Sequence, residues 1–186
     1  GELNEAFLAA RREGGHYRRV LKEKSRITLS VVDSDLACDR EFFASTFRLD
    51  SFIMPTHRCE IRDAGRAVGV EVHNLGDWEE AMERQLAQTL EKGAVVFKHG
   101  LAYVRSLRYE KVGRADAEVA FNEFFSNQHS PEWRGGIKAG KALQDYMMHA
   151  ILRLMDHRGL TLQVHTGLQE GNGNVIVDSN PVHLTN

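Results

Sequence analysis

Residues 139–166 read AGKALQDYMMHAILRLMDHRGLTLQVHT, and this stretch holds in succession the parts that decide the fold. Leu143, Tyr146, Met147, Ala150, Ile151 and Leu154 recur at the spacing of one helix face, which predicts a helix over 139–158. Gly159 is the residue type that ends a helix in the left-handed region. Leu160-Thr161-Leu162-Gln163-Val164 follows as a short apolar strand, and it runs out into His165 and Thr166.

Working outward, the same alternation recurs. Ile27–Val32 and Ala94–Phe97 read as strands, and Ser51–Met54 as another that stops at Pro55. Between them, Asp77 is placed as the N-cap of a helix over Trp78–Lys92, closed by Gly93. A helix is expected over 114–126 and a short one over 39–47, and a helical stretch over 3–24 is broken by Gly14-Gly15. Short apolar strands that alternate with helices imply parallel strands joined by right-handed crossovers. That is an α/β fold, either a doubly wound sheet or a (β/α)8 barrel, and periodicity does not choose between them. No linker-like stretch interrupts the chain, so residues 1–186 are read as one domain.

Bulk properties narrow the partners. The 186 residues are 42% hydrophobic and 27% charged, ordinary for a globular protein. A net charge of -2 offers no basic excess for nucleic acid or anionic lipid, and no apolar run approaches a membrane span. Cys38 and Cys59 lie far apart without metal-ligand spacing, so they read as free thiols of a cytoplasmic, reducing setting. The chain begins at Gly1 and stops a few residues after Asn180-Pro181, which is the expectation for a piece of a longer protein.

Chemistry collects where strands end. The expected strands finish at Asp33 and Asp35, at Thr56, His57 and Arg58, at Lys98 and His99, and at His165 and Thr166. Active sites of parallel α/β folds form at the carboxyl ends of strands. His165 is the foremost candidate, since a neutral imidazole at a strand end suits a divalent transition metal. Lys98, closing a buried strand, needs a partner: a substrate anion, a carboxylate such as Asp33, or a carbamate that ligates metal. The Gly- and Asn-rich loop 167–174, with Gln169 and Asn172, can bring amides close to a small ligand. His16, His73, His129, His149, His157 and His183 read as surface or packing residues.

Leu162–Asn174 resembles the fifth-strand motif of an amidohydrolase-2-type family of metal-dependent hydrolases within the amidohydrolase superfamily. Lys98-His99-Gly100-Leu101-Ala102-Tyr103-Val104-Arg105 resembles that family's fourth-strand segment. The resemblance is strongest from about residue 77 onward. It implies a distorted (β/α)8 TIM barrel of which strands two to five are present, about half. It also implies hydrolysis of an amide, ester or related C–N or C–O bond of a small molecule by a metal-activated water, the divalent metal commonly being zinc. His165 matches the strand-five ligand, and Lys98 falls where some members carry a metal-bridging carboxylated lysine. Tyr103, Arg105, His57, Arg58, Gln169 and Asn172 become expected substrate contacts. The superfamily's H-x-H pair of strand one and aspartate of strand eight have no counterpart here, so this piece alone is expected to be inactive. A half-barrel would also expose strand edges and apolar faces, so it is expected to aggregate, swap or pair with another copy, a homo-oligomer among the outcomes. Other readings stay open: a metal-barrel decarboxylase or sugar-acid isomerase, a non-catalytic barrel fused to a glutamine-synthetase-like domain, or an unrelated doubly wound domain.

Overall fold

Four short strands, β1 (Ser30–Val32), β2 (Phe43–Arg48), β3 (Val96–His99) and β4 (Thr161–Val164), hydrogen-bond in that order in the computed structural model of the chain. Residues 1–33, 39–126, 139–168, 170 and 175–185 are described. Asp35, Cys38, His129, Gln169 and Asn172 lie outside them. β1 pairs parallel with β2, Ser30 opposite Phe43, and β3 pairs parallel with β4, Val96 opposite Thr161. The outer edge of β4 has no strand partner among the described residues. The chain is thus α/β with parallel strands, the arrangement of part of a barrel.

The chain divides into two compact units, Gly1–Thr46 and Phe47–Asn186. In the first, α1 (Glu2–Arg12) buries none of its residues. Gly14 and Gly15, both at positive φ, end it, and a π-helical turn Arg18–Lys24 follows. The Tyr17 ring meets Phe43 edge-on at 5.0 Å, which packs this turn on β2. Thr46 Oγ1 donates to Asp33 Oδ1 at 3.1 Å across the β1–β2 pair.

The second unit holds the core. Its helices are α2 (Asp50–Ile53), α3 (Arg58–Ala67), α4 (Leu75–Glu91), α5 (Arg114–Ser126) and α6 (Lys141–His157). Trp78 of α4 is fully buried, stacks on Phe52 at 4.5 Å, and donates Nε1–H to the Phe52 carbonyl at 3.2 Å. Phe97, Phe121, Leu143 and Met147 close around the same interior. Gly65 lets α3 lie against the segment leading to α4. A Cβ there would come within 2.6 Å of both the Val70 carbonyl oxygen and Val72 Cγ2.

Several elements depart from the sequence reading. The strand expected at Ser51–Met54 is the helical turn α2, and the helix expected over 39–47 is instead a turn followed by β2. Asp39 Oδ1 accepts the Glu41 N–H at 2.9 Å and its carbonyl accepts the Phe42 and Phe43 N–H groups at 3.0 and 2.9 Å, a single turn that the chain leaves for β2. Phe43-Ala44-Ser45-Thr46-Phe47 then carries the aromatic and branched residues that suit a strand. A four-residue apolar run such as Ser51–Met54 has no period to read, and its burial on Trp78 made it helical. Asp77 is not the N-cap of α4: Asn74 is, with Asp77 three residues on completing a reciprocal capping box at 3.0 and 3.2 Å. Helix 114–126 and the turn at Gly159, φ +62°, stand as read.

Truncating Trp78 to alanine is expected to destabilise the second unit by about 3–5 kcal/mol. Gly65→Ala should cost about 1–3 kcal/mol through forced backbone displacement. Chemical denaturation followed by circular dichroism measures both.

Candidate functional site

Side chains alternate along a strand. In β3, Phe97 and His99 are buried while Val96 and Lys98 are only partly covered. In β4, Leu162 and Val164 are half-buried while Thr161 and Gln163 are exposed. One face of the pair therefore packs on the helices and the other is open. Lys98 stands opposite Gln163 in the register, and its Nζ donates to Gln163 Oε1 at 3.3 Å on that open face. Lys98 is thus not a buried charge, and its ammonium has an amide as partner in place of the expected carboxylate. In a barrel, the face away from the helices lines the interior.

The ladder continues one bond past β4, from the His165 N–H to the His99 carbonyl at 2.9 Å. Alternation then carries His165 to the side of Lys98 and Gln163. The His165 ring lies against Tyr103, centroids 4.8 Å apart and planes at 42°. Its Nε2 is buried and has no hydrogen-bond partner. A buried ring nitrogen left unpaired costs about 1–3 kcal/mol, a cost recovered when a ligand takes the lone pair. His149 Nε2 is also buried and unpaired, but it sits in the middle of α6, away from any strand end.

His99 is the opposite case. Its Nδ1 lies 2.8 Å from Asp50 Oδ1 and its Nε2 lies 2.8 Å from the Tyr109 hydroxyl. Both ring nitrogens are satisfied, so this histidine holds the fold. Burial pushes the Tyr109 phenol up from its ordinary value; the Arg105 guanidinium opposes this, and the Asp50 and Asp145 carboxylates add to it.

Arg105, expected as a substrate contact, is instead buried in the fold. Its guanidinium bonds Asp145 Oδ1 at 2.8 Å, Gln144 Oε1 at 2.7 Å and the Ser106 and Arg108 carbonyls at 2.8 and 3.2 Å. The same group lies 4.0 Å over the Tyr109 ring. His57 and Arg58 are not at a strand end. His57 is the N-cap of α3, its Nδ1 accepting the Cys59 N–H at 3.1 Å, and Arg58 is the first helical residue. No contact among the described residues joins either to His165 or Lys98. Tyr103, half exposed, is brought to His165. The reading of the sequence passed over Asp50, Tyr109 and Asp145. Asp145 had a signal, being an acid inside the apolar run of its helix, where burial requires a cation.

Does the arrangement suit a metal? His165 Nε2 has the right chemistry, a buried imidazole nitrogen with no hydrogen-bond partner, which in the tautomer protonated on Nδ1 offers a lone pair. No group of three or more His, Cys, Asp or Glu is placed to hold a metal ion among the described residues. The chain therefore supplies one fitting donor and not a full set. No helix of the described residues is long and apolar enough to cross a membrane.

No protein-family model matches the sequence, and no curated protein matches it significantly. Solved structures do. A protein from Lactobacillus casei assigned as a metal-dependent hydrolase superposes with a TM-score of 0.62 at 20% identity, over 92% of this chain and 44% of that one. Uronate isomerase from Thermotoga maritima superposes with a TM-score of 0.57 at 17% identity, over 80% of this chain and 35% of that one. At these identities the likeness concerns the fold, an α/β arrangement of parallel strands consistent with part of a barrel. The chain spans less than half the length of either.

Arg105→Ala leaves Asp145 buried with one cation fewer, and a loss of about 3–5 kcal/mol is expected in denaturant titrations. A pH effect also follows from Tyr109. Its phenol is held protonated in the fold above the ordinary value of 10.0. The unfolded chain therefore releases that proton first, and stability falls as pH rises above about 10. The fall should be shallower in Tyr109→Phe when thermal midpoints are compared across alkaline buffers.

Proposed function

We propose that the chain is part of a metal-dependent hydrolase of the amidohydrolase kind, acting on an amide, ester or related C–N or C–O bond of a small molecule. The observation that carries this is the buried, unpartnered Nε2 of His165 at the end of a parallel strand. The similarity to the Lactobacillus casei protein supports the same class. His165 would hold the ion through Nε2, with the ring steadied by Tyr103. A bound divalent ion, zinc being the leading choice, supplies Lewis acidity and lowers the pKa of a water it carries. Lys98, with its ammonium on the open face beside Gln163, would neutralise an anionic group of the substrate. Gln169 and Asn172 follow His165 in sequence and remain proposed contacts. The remaining metal donors would come from the part of such a barrel that this chain does not span. A cytoplasmic setting suits the exposed free thiol of Cys59.

One observation favours a second reading, isomerisation of a sugar acid. The similarity to uronate isomerase is joined by Lys98, whose hydrogen-bond partner among the described residues is an amide oxygen, leaving the ammonium for a substrate carboxylate. The readings part on water: hydrolysis incorporates labelled oxygen from the solvent into product, and isomerisation of a sugar acid gives a product of unchanged composition.

Zinc titration by calorimetry, on a protein in which the rest of the barrel accompanies this chain and supplies the other donors, tests the site. Binding that His165→Ala weakens by at least about tenfold is expected, since one ligand's loss removes 1.4 kcal/mol or more. Absence of binding, or equal binding by the variant, rejects the proposal.

A further inference from the structure

The hydrogen bonds around His99 end on the main chain that carries His165. Ionised Asp50 can only accept, and it takes the Gly100 N–H at 3.0 and 3.2 Å. His99 Nδ1, 2.8 Å from the same carboxylate, is therefore the donor. Its Nε2 is then a lone pair, and the Tyr109 hydroxyl donates to it at 2.8 Å. This fixes the tautomer from the network and leaves no ring nitrogen of His99 for a ligand.

The backbone beside this ring makes two further bonds. The His99 carbonyl accepts the His165 N–H at 2.9 Å, and the Gly100 carbonyl accepts the Tyr103 N–H at 3.3 Å. Tyr103 is the ring that covers His165. The two residues that Asp50 grips thus set both the strand end from which His165 projects and the aromatic wall beside it. Gly100 permits the grip: a Cβ there would stand 3.2 Å from Asp50 Oδ2 and 3.0 Å from Arg48 Nη1. The far end is anchored as well, because Tyr109 lies under the Arg105 guanidinium, which Asp145 of α6 holds.

We infer that Asp50, His99 and Tyr109 are positioning residues for His165, forming a closed relay that holds its main chain and its Tyr103 wall so that Nε2 stays aimed at a ligand. The inference rests on the proposed role of His165 as the ligand-holding residue. Groups that orient a metal-binding histidine commonly change metal affinity by about 10–100-fold when removed, although they touch no metal.

The experiment uses a protein in which the rest of the barrel accompanies this chain, and compares it with its Tyr109→Phe and Tyr146→Phe variants. Tyr146 is a second buried phenol, bonded to Glu79 at 2.8 Å and outside the relay. Each protein is titrated with zinc alone against a chromophoric chelator, its His165 amide exchange is followed by NMR, and its thermal midpoint is recorded. Tyr109→Phe should weaken zinc binding by about 10–100-fold and speed exchange at the His165 amide by about tenfold. Tyr146→Phe should lower the midpoint yet leave zinc affinity and His165 exchange unchanged. Equal effects of the two variants on affinity and exchange would reduce the relay to ordinary stability and overturn the inference. So would a Tyr109→Phe protein whose His165 exchange matches the parent. If the parent takes up no zinc through His165, the functional proposal falls, and the exchange measurement still decides whether the relay holds that residue.

Discussion

A single buried carboxylate organises the centre of the second unit. Asp145 lies on the inward side of α6 among Leu143, Met147 and Met148, where an unpaired charge would be prohibitive. It is met by the Arg105 guanidinium, the Lys141 ammonium and the Glu110 N–H. Pulling Arg105 inward draws the whole segment 104–110 against the helix, and Tyr109 travels with it to reach His99. The loop after β3 is therefore shaped by electrostatic necessity at its far end. Apolar packing alone would not specify where Tyr109 points.

This also separates the two faces of the β3–β4 pair by kind of interaction. The helix side packs into the core, with Phe97 buried and His99 bonded through both nitrogens. Among the described residues, the open side carries groups with spare capacity: an ammonium bonded to an amide, an exposed amide, and a buried imidazole nitrogen without a hydrogen-bond partner. A parallel sheet that forms part of a barrel has this division built into it, because helices cover one face and chemistry occupies the other. The likeness to two larger proteins is thus matched by a polarity in the sheet that has its own physical origin.

The sequence made some of this readable. Helix 139–158 and the strand after Gly159 announced themselves through a long period and a left-handed stop, and with them came His165. The short elements resisted. Ser51–Met54 and Asp39–Phe47 exchanged roles because a run of four residues fits either period and because the longer one joins a single turn to the strand β2. Lys98 and His99 were read together as a strand end, whereas strict alternation sends them to opposite faces with opposite fates. Arg105 looked like a ligand contact because nothing in its own neighbourhood reveals an acid forty residues away. Asp145 itself was detectable as a lone acid within an apolar stripe, and following that signal would have claimed Arg105 for the interior.

Alternation in β3 has an evolutionary corollary. Substitutions between Gly93 and Val96 change what the strand touches but leave its frame intact. Inserting or deleting one codon there, so that the pairing with β4 slips by one residue, would trade the places of the ammonium and the imidazole. A cation would face the apolar interior and the tethered histidine would face outward. Lineages descending from this chain should accordingly tolerate varied residue types in that short approach while conserving its length.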